Sequence, residues 1–328
     1  MTVGHSFSIK TLWHFGWRVA LQSLLLSAVA VLLYRVFNIT YIAIPFLPVA
    51  TIGTAVAFYM GFKNNQAYSR LWEARALWGT INTRCRMMAA MLIAMLDDQA
   101  LVKELLYRQL AYINILRLQL RRTIPWATSR QNLHHSFMGE REELQAFDTG
   151  LKAILEQNGK SKYYPQLCAA NNAALILLRE QVKQLSALKA TGQLDGLDHN
   201  ELLRTVNDFF GAQAGCERIK TTPLYRQFSI FSRVFVRVFI TLIPFALLNE
   251  TNKLGPYGVW LTIPATVLVS WVFSTMEQIG EFSENPFDNA VNDVPISTIC
   301  TSIEIDLKEM MGEASLPPKP QPVHDILM

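Results

Sequence analysis

The sequence predicts an all-α membrane protein with four transmembrane helices and a large helical body inserted between the second and the third. Three observations predict it. Hydrophobic residues make up 51% of the 328 positions and charged residues 17%, below the roughly 25% charged content of soluble chains. Uncharged or nearly uncharged stretches occur as two pairs, one near each end. Between the pairs, apolar residues recur at helical spacing with few strand signals.

The first pair is Val19 to Tyr34 and Ile42 to Phe62. Val19 to Tyr34 has 16 uncharged residues flanked by Arg18 and Arg35. That is short for a crossing, but both arginines can extend their heads to the interface. Trp13, Phe15 and Trp17 precede it as interfacial anchors, and no signal-peptide cleavage pattern is visible. Val36 to Tyr41 makes a brief outer turn. Ile42 to Phe62 has 21 residues without a charge, enough to cross about 30 Å of hydrocarbon. Pro45 and Pro48 loosen its first turns. The switch at Lys63 to a polar, arginine-bearing run marks the cytoplasmic side.

From Asn64 to about Thr222 nothing is long and apolar enough to span. Leu71, Leu77, Trp78 and Ile81 fall at helical spacing, as do Leu105, Leu106, Leu110 and Ile113, and Leu175, Leu178 and Val182. Breaks are expected near Asp97-Asp98, Pro125, Gly139, Gly159, Pro165 and Gly192. The second pair is Phe228 to Leu248 and Leu254 to Met276. Arg233 and Arg237 interrupt the former and require a polar interior, an acidic partner or the interface. The latter has 23 uncharged residues, with a kink expected at Pro264. Asn249 to Lys253 is a short outer link. Beyond Glu277, turn chemistry at Asn285-Pro286-Phe287-Asp288 precedes a helix starting near Pro295, with Asp293 as its cap and Ile299, Ile303 and Met310 as its apolar face. The Pro-rich tail from Leu316 is extended. The expected organisation is therefore 1–63 (N-terminal segment and first pair), 64–222 (helical cytoplasmic body), 223–278 (second pair) and 279–328 (C-terminal helix and tail). Both termini and the large insert lie inside.

Several chemistries find no support. The phosphate-binding, nucleophile-elbow and zinc-protease motifs are missing, so an enzyme is not indicated. Cys85, Cys168, Cys216 and Cys300 are far apart and suggest neither a metal site nor a disulfide framework. His134-His135, near Glu140, Glu142 and Glu143, reads as a solvated loop. No cofactor is implied, and a net charge of +4 without a basic patch does not suggest nucleic acid. Glu217 and Arg218 read as a helix-end ion pair.

Two stripes on the second span carry the functional reading. Thr54, Phe58 and Phe62 share one face, successive members differing by about 40° around a helix. Gly53, Ala57 and Gly61 form an adjacent face of small residues, which lets helices approach closely in lipid. Copies of such a helix around an axis would form a narrow aromatic hole; an ordinary bundle with phenylalanines facing lipid is the plainer alternative. Asp195, Asp198 and Glu201 form an acidic group that usually marks a solvated helix start. Ringed around an axis, they would attract cations.

The chain resembles a bacterial member of the bestrophin family. The resemblance rests on Gly61-Phe62-Lys63-Asn64-Asn65 with Tyr68, Arg70, Glu73-Ala74-Arg75 and Leu77-Trp78-Gly79. It rests also on Gly215-Cys216-Glu217-Arg218-Ile219 with Thr222-Pro223. A third group is Glu284-Asn285-Pro286-Phe287, Asn292-Asp293-Val294-Pro295 and Ile303-Glu304-Ile305-Asp306-Leu307. The resemblance implies a homopentameric channel with a pore on the five-fold axis, in a lipid bilayer, passing small monovalent ions. It places the neck on Thr54, Phe58 and Phe62, where Thr54 departs from a bulky apolar pattern, and a second, cytoplasmic aperture near Asp198. Eukaryotic members are calcium-activated chloride channels. Their acid-rich calcium clasp is reduced here to Asp288 and Asp293, too few charges for a calcium site. The family implies chloride, whereas an Asp198 ring leans towards cations. A membrane-anchored helical scaffold without conduction is the alternative class.

Overall fold

A computed structural model describes residues 9–122, 147–255, 257–288, 290 and 292–322, with side chains from Gly16 onward. The expected breaks at Pro125 and Gly139, the His134-His135 pair with its neighbouring glutamates, and the side chains of Trp13 and Phe15 lie outside the described residues. The described residues form helices α1 (Ile9–Arg35), α2 (Phe46–Met95), α3 (Gln99–Leu120), α4 (Phe147–Gln157), α5 (Tyr164–Cys168), α6 (Ala173–Ala190), α7 (Gly196–Thr221), α8 (Arg226–Asn252), α9 (Thr262–Phe282) and α10 (Ile296–Met310), and among them no strand occurs. Four stretches are long and apolar enough to cross a membrane: Gly16–Arg35, Thr40–Met95, Arg226–Asn252 and Gly258–Phe282.

The chain divides into two compact units. One takes residues up to Arg70 together with Pro223–Glu284, and so holds α1, the first half of α2, α8 and α9. Its interior is built from Val49, Val56 and Met60 of α2 against Val236, Phe239 and Ile243 of α8. A second cluster joins Ala30 and Val31 of α1 to Leu248 and Val259. Three glycines set helix spacing. A Cβ on Gly53 would sit 2.6 Å from the Phe239 ring, one on Gly16 would meet the Trp271 indole, and one on Gly280 would meet the Asn64 amide.

Sequence and structure differ here in two places. The 3₁₀ turn Gly258–Leu261 precedes α9, so Pro264 lies in the first helical turn and kinks nothing, because a first-turn N–H has no helical partner to lose. The proline inside a spanning helix is instead Pro244 of α8.

The other unit takes Leu71–Thr222 together with the chain from Asn285 onward. The C-terminal helix α10 thus shares one core with the helical body, through Ile296, Cys300, Ile303 and Leu307. Of the expected face Ile303 is fully buried and Ile299 packs partly buried against the core, whereas Met310 is 43% exposed. Trp78, Ile81, Leu105, Leu106, Leu110 and Ile113 are all fully buried, as their spacing predicts, while Leu175 is exposed. Asp98 caps α3 by accepting from the Ala100 and Leu101 N–H groups. Gly159 and Gly192 take positive φ of 62° and 73° after α4 and α6, a conformation that favours glycine. Pro165 stands in the first turn of α5.

Asp293 does not cap α10. Its Oδ2 accepts from the Ala290 N–H at 3.0 Å, and Pro295 takes the cap position without a side-chain bond. The Glu217 to Arg218 pair does not form either. Glu217 accepts from the Asn172 and Gln213 amides, both at 2.7 Å, and Arg218 pairs with Glu73 of α2. Residues adjacent in a helix point about 100° apart, so each found a partner on another element.

Candidate functional site

α2 runs without interruption for 50 residues, about 75 Å at 1.5 Å per residue. Its apolar first half carries both stripes, and they differ in what they touch. On one face Thr54 is exposed, and Phe58 and Phe62 are 70% and 53% exposed. The two rings meet edge-to-face with centroids 4.7 Å apart, a favoured aromatic geometry. Each ring therefore helps hold its neighbour in place. The Thr54 hydroxyl donates to the Ala50 carbonyl at 3.1 Å. Its only proton is used on its own helix, so outward it shows a methyl group and oxygen lone pairs.

The small-residue stripe splits. Gly53 is buried against Phe239 of α8 in the same chain, Ala57 is partly buried, and a Cβ on Gly61 would meet nothing within 4 Å. Gly53 thus serves packing inside the subunit, and only the Gly61 end lies open. The opposite side of α2 is stacked by aromatics: Tyr59 lies parallel to Phe228 at 4.7 Å and edge-on to Phe235 at 5.6 Å.

Just beyond the stripe sits a group of charges that hydropathy alone does not reveal. Lys63 is fully buried and its Nζ lies 3.2 Å from Glu277 Oε1 of α9. Asn64 donates to the Met276 carbonyl at 3.0 Å, and Arg70 donates through Nε to the Glu284 carbonyl at 3.2 Å. The Ser229 hydroxyl of α8 donates to Glu284 Oε2 at 3.1 Å. Burial pushes the Glu284 carboxyl above the usual range, while Lys63 and the Ser229 hydroxyl pull it back. α2, α8 and α9 are thereby tied together one turn past Phe62. Arg233 finds the acidic partner its sequence position demands, Glu281 at 4.0 Å. Arg237 is exposed and has no acidic partner among the described residues. As helical side chains lean towards the helix N-terminus, its head leans towards the Arg226 end.

In the helical body, Asp198 is half-buried in the first turn of α7. Asp195 caps that helix, accepting from the Leu197 N–H at 3.0 Å. The Leu197 and Gly196 N–H groups hold the Asp195 carboxyl below its usual range. Acids at both positions suit the positive end of a helix dipole. The side chain that projects here is Leu197, 79% exposed. Sequence reading passed over it because an isolated leucine beside a turn carries no periodic signal. Glu201 pairs with Arg204 at 3.3 Å.

Near the reduced acidic run, Lys220 binds Asp288 at 2.5 Å, both side chains 10% exposed. Asp293 Oδ1 is buried without a partner. Burial pushes that carboxyl up to about 8, the Ala290 N–H opposing and Asp288 reinforcing the shift. One carboxylate is thus neutralised by lysine and the other favours its proton. Among the described residues no cluster of three metal-ligating side chains occurs.

Comparison with known proteins agrees with this architecture. The family model described as Bacterial/Fungal Bestrophin protein matches residues 16–309. The voltage-dependent anion channel-forming protein YneE of Escherichia coli is 30% identical over 282 residues, covering 85% of this chain and 82% of that one. A protein of the same printed description from Ralstonia nicotianae is 31% identical over 274 residues, 82% of this chain and 78% of its own. The crystal structure of a bacterial bestrophin homologue from Klebsiella pneumoniae superposes with a TM-score of 0.77 at 24% identity, covering 91% of this chain and 99% of that one. By the extent of the family match and by this fold, the chain belongs to the bacterial and fungal bestrophin family.

Proposed function

We propose that the protein is a passive ion channel, assembled as a homopentamer in a bacterial inner membrane with both termini cytoplasmic, whose neck is formed by rings of Thr54, Phe58 and Phe62. The observation that carries the reading is the outward-facing aromatic pair on a membrane-spanning helix: Phe58 and Phe62 are exposed, mutually packed and unused by the subunit's own core. Rings of phenylalanine gate by excluding water while giving an ion little to bind. The inward-directed Thr54 hydroxyl proton makes the third ring less polar than the residue name suggests. Gly61, open on its Cβ side, is where a neighbouring α2 approaches.

The permeant species is a small monovalent ion. Asp198 favours cations if it rings the cytoplasmic aperture. Two observations support anions: the relatives above are named anion channel-forming proteins, and Asp198 is half-buried at a helix start with apolar Leu197 projecting beside it. The test is a reversal potential for the purified protein in planar bilayers under a salt gradient. A value near the chloride equilibrium potential supports the anion reading. A value near the cation equilibrium potential restores Asp198 as the selectivity ring. Absence of current from correctly assembled protein would favour the scaffold alternative.

A further inference from the structure

Two arginines of the unit that holds α1, α8 and α9 stand on faces that are otherwise apolar. On α8, Arg237 is exposed together with Ile230, Val234 and Val238. Phe239, which packs on Gly53 of α2, lies about 160° away around the helix. Arg237 therefore points away from α2 and from the aromatic stripe. On α1, Arg18 is exposed at the foot of a face continued by Leu21 and Leu25. Its guanidinium lies over the Trp17 ring, 5.5 Å from the centroid.

The two arginines occupy one layer. α1 runs antiparallel to α9, since Gly16 abuts Trp271 while Ala30 and Val31 share a cluster with Val259. α8 is antiparallel to α9 as well, with the Phe239 and Phe273 rings 4.6 Å apart and the Thr251 and Thr262 hydroxyls bonded at 2.8 Å. α1 and α8 are thus parallel, and Ala30 and Leu248 meet in one cluster. Arg18 lies 12 residues before Ala30, and Arg237 lies 11 before Leu248. Both side chains lean towards the N-terminal ends of their helices, and so towards the same membrane surface.

Neither arginine has an acidic partner among the described residues. The composition of the unit explains why. It holds nine lysines and arginines against four glutamates, Glu250, Glu277, Glu281 and Glu284, and no aspartate. All four are engaged, by Lys253, Lys63, Arg233 and the Ser229 hydroxyl in that order. A second copy of the unit would bring the same shortage. A guanidinium in an apolar layer needs an anionic acceptor, so here the acceptor comes from outside the protein.

We infer that Arg18 and Arg237 are binding sites for the phosphate of an anionic phospholipid, in the leaflet at the Arg226 end of α8. The planar guanidinium fork matches two phosphate oxygens. Val238 on α8, and Leu21 and Leu25 on α1, continue each face towards the membrane interior, where acyl chains run. An anionic lipid is favoured over a zwitterionic one, because its phosphate has no cation of its own and the unit carries a positive excess. The inference rests on α1 and α8 spanning a bilayer and is independent of conduction.

Native mass spectrometry of the full-length protein, released from nanodiscs of equimolar phosphatidylglycerol and phosphatidylcholine, is the test. The wild-type protein should retain phosphatidylglycerol in preference. Arg18→Gln and Arg237→Gln should each lower that retention, and the double variant should lower it at least about fivefold, from the effect of cations near an anionic surface. Arg204→Gln, in the helical body, should change nothing. Retention of both lipids in proportion to their abundance, or undiminished phosphatidylglycerol on a normally assembled double variant, would overturn the assignment. Protein that does not enter nanodiscs at all would overturn the spans themselves, and the sites with them.

Discussion

Removing one charge of the Lys63 and Glu277 pair strands the other, because the two side chains are 0% and 7% exposed. Breaking such a pair from one side costs about 3–5 kcal/mol, whereas replacing both members by apolar groups of similar volume is often neutral. Lys63→Met is therefore expected to lower the thermal midpoint strongly, and Lys63→Met with Glu277→Leu to recover most of the loss. A double variant no better than the single one would mean that the pair contributes nothing beyond its separate residues. Phe58 belongs to the same scale. Phe58→Ala should widen the neck and raise single-channel conductance, and unchanged currents would remove Phe58 from the pore. The contrast between these residues shows what sequence reveals. Phe58 and Phe62 announce themselves through four-residue spacing inside an uncharged run. Lys63 looks locally like the end of a span, since nothing nearby tells that it turns inward to meet a carboxylate 214 positions away. Arg218, whose partner Glu73 lies 145 positions away, is hidden for the same reason.

At the level of the helix, glycine positions separate contacts within a subunit from contacts between copies. Gly280→Ala would drive a methyl group into the Asn64 amide. It should destabilise the packing of α9 on α2 by about 1–3 kcal/mol, the usual range for overpacking. Gly61→Ala meets nothing in its own chain. It should leave the folded subunit intact or slightly stabilised, by about 0.5–1 kcal/mol of helix propensity. Mass photometry is the readout. Loss of the oligomer in Gly61→Ala but not of the folded subunit assigns that face to a neighbouring copy, and full assembly would take Gly61 out of the interface. Most helices were legible because hydrophobic periodicity and caps agree, as with Asp98 before α3 and Gly192 after α6. The start of α9 was not. Pro264 suits a first turn as well as a kink, and only the preceding 3₁₀ turn decides between them.

For the molecule as a whole, Asp293 predicts how stability responds to pH. Its carboxyl is raised from the model-peptide value of 3.8 to about 8 by burial. A raised folded-state value means that the folded protein holds the proton more tightly than the unfolded chain. The contribution is complete below about pH 4 and is lost as pH rises towards and through about 8. The thermal midpoint should therefore decline across that window, and Asp293→Asn should flatten the decline. An unchanged slope in the variant would exclude Asp293 as its source. The global architecture was the most legible level of all, since two apolar pairs around a polar helical insert leave few arrangements. The expected C-terminal section was less so. Nothing in its composition tells that Ile296, Cys300, Ile303 and Leu307 share a core with residues two hundred positions earlier.

The unbroken course of α2 has a mechanical consequence. Its only prolines after residue 45 stop at Pro48, and sharp bends in helices arise at prolines, bulges or inserted groups. From Phe58 to Arg70 the helix offers no such site. A torque applied near Lys63, where α2 meets α9, must reach Phe58 as rotation about the helix axis. The aromatic face would then turn like a key on its shaft, and a few degrees of twist would redirect the Phe58 and Phe62 rings without any helix unfolding.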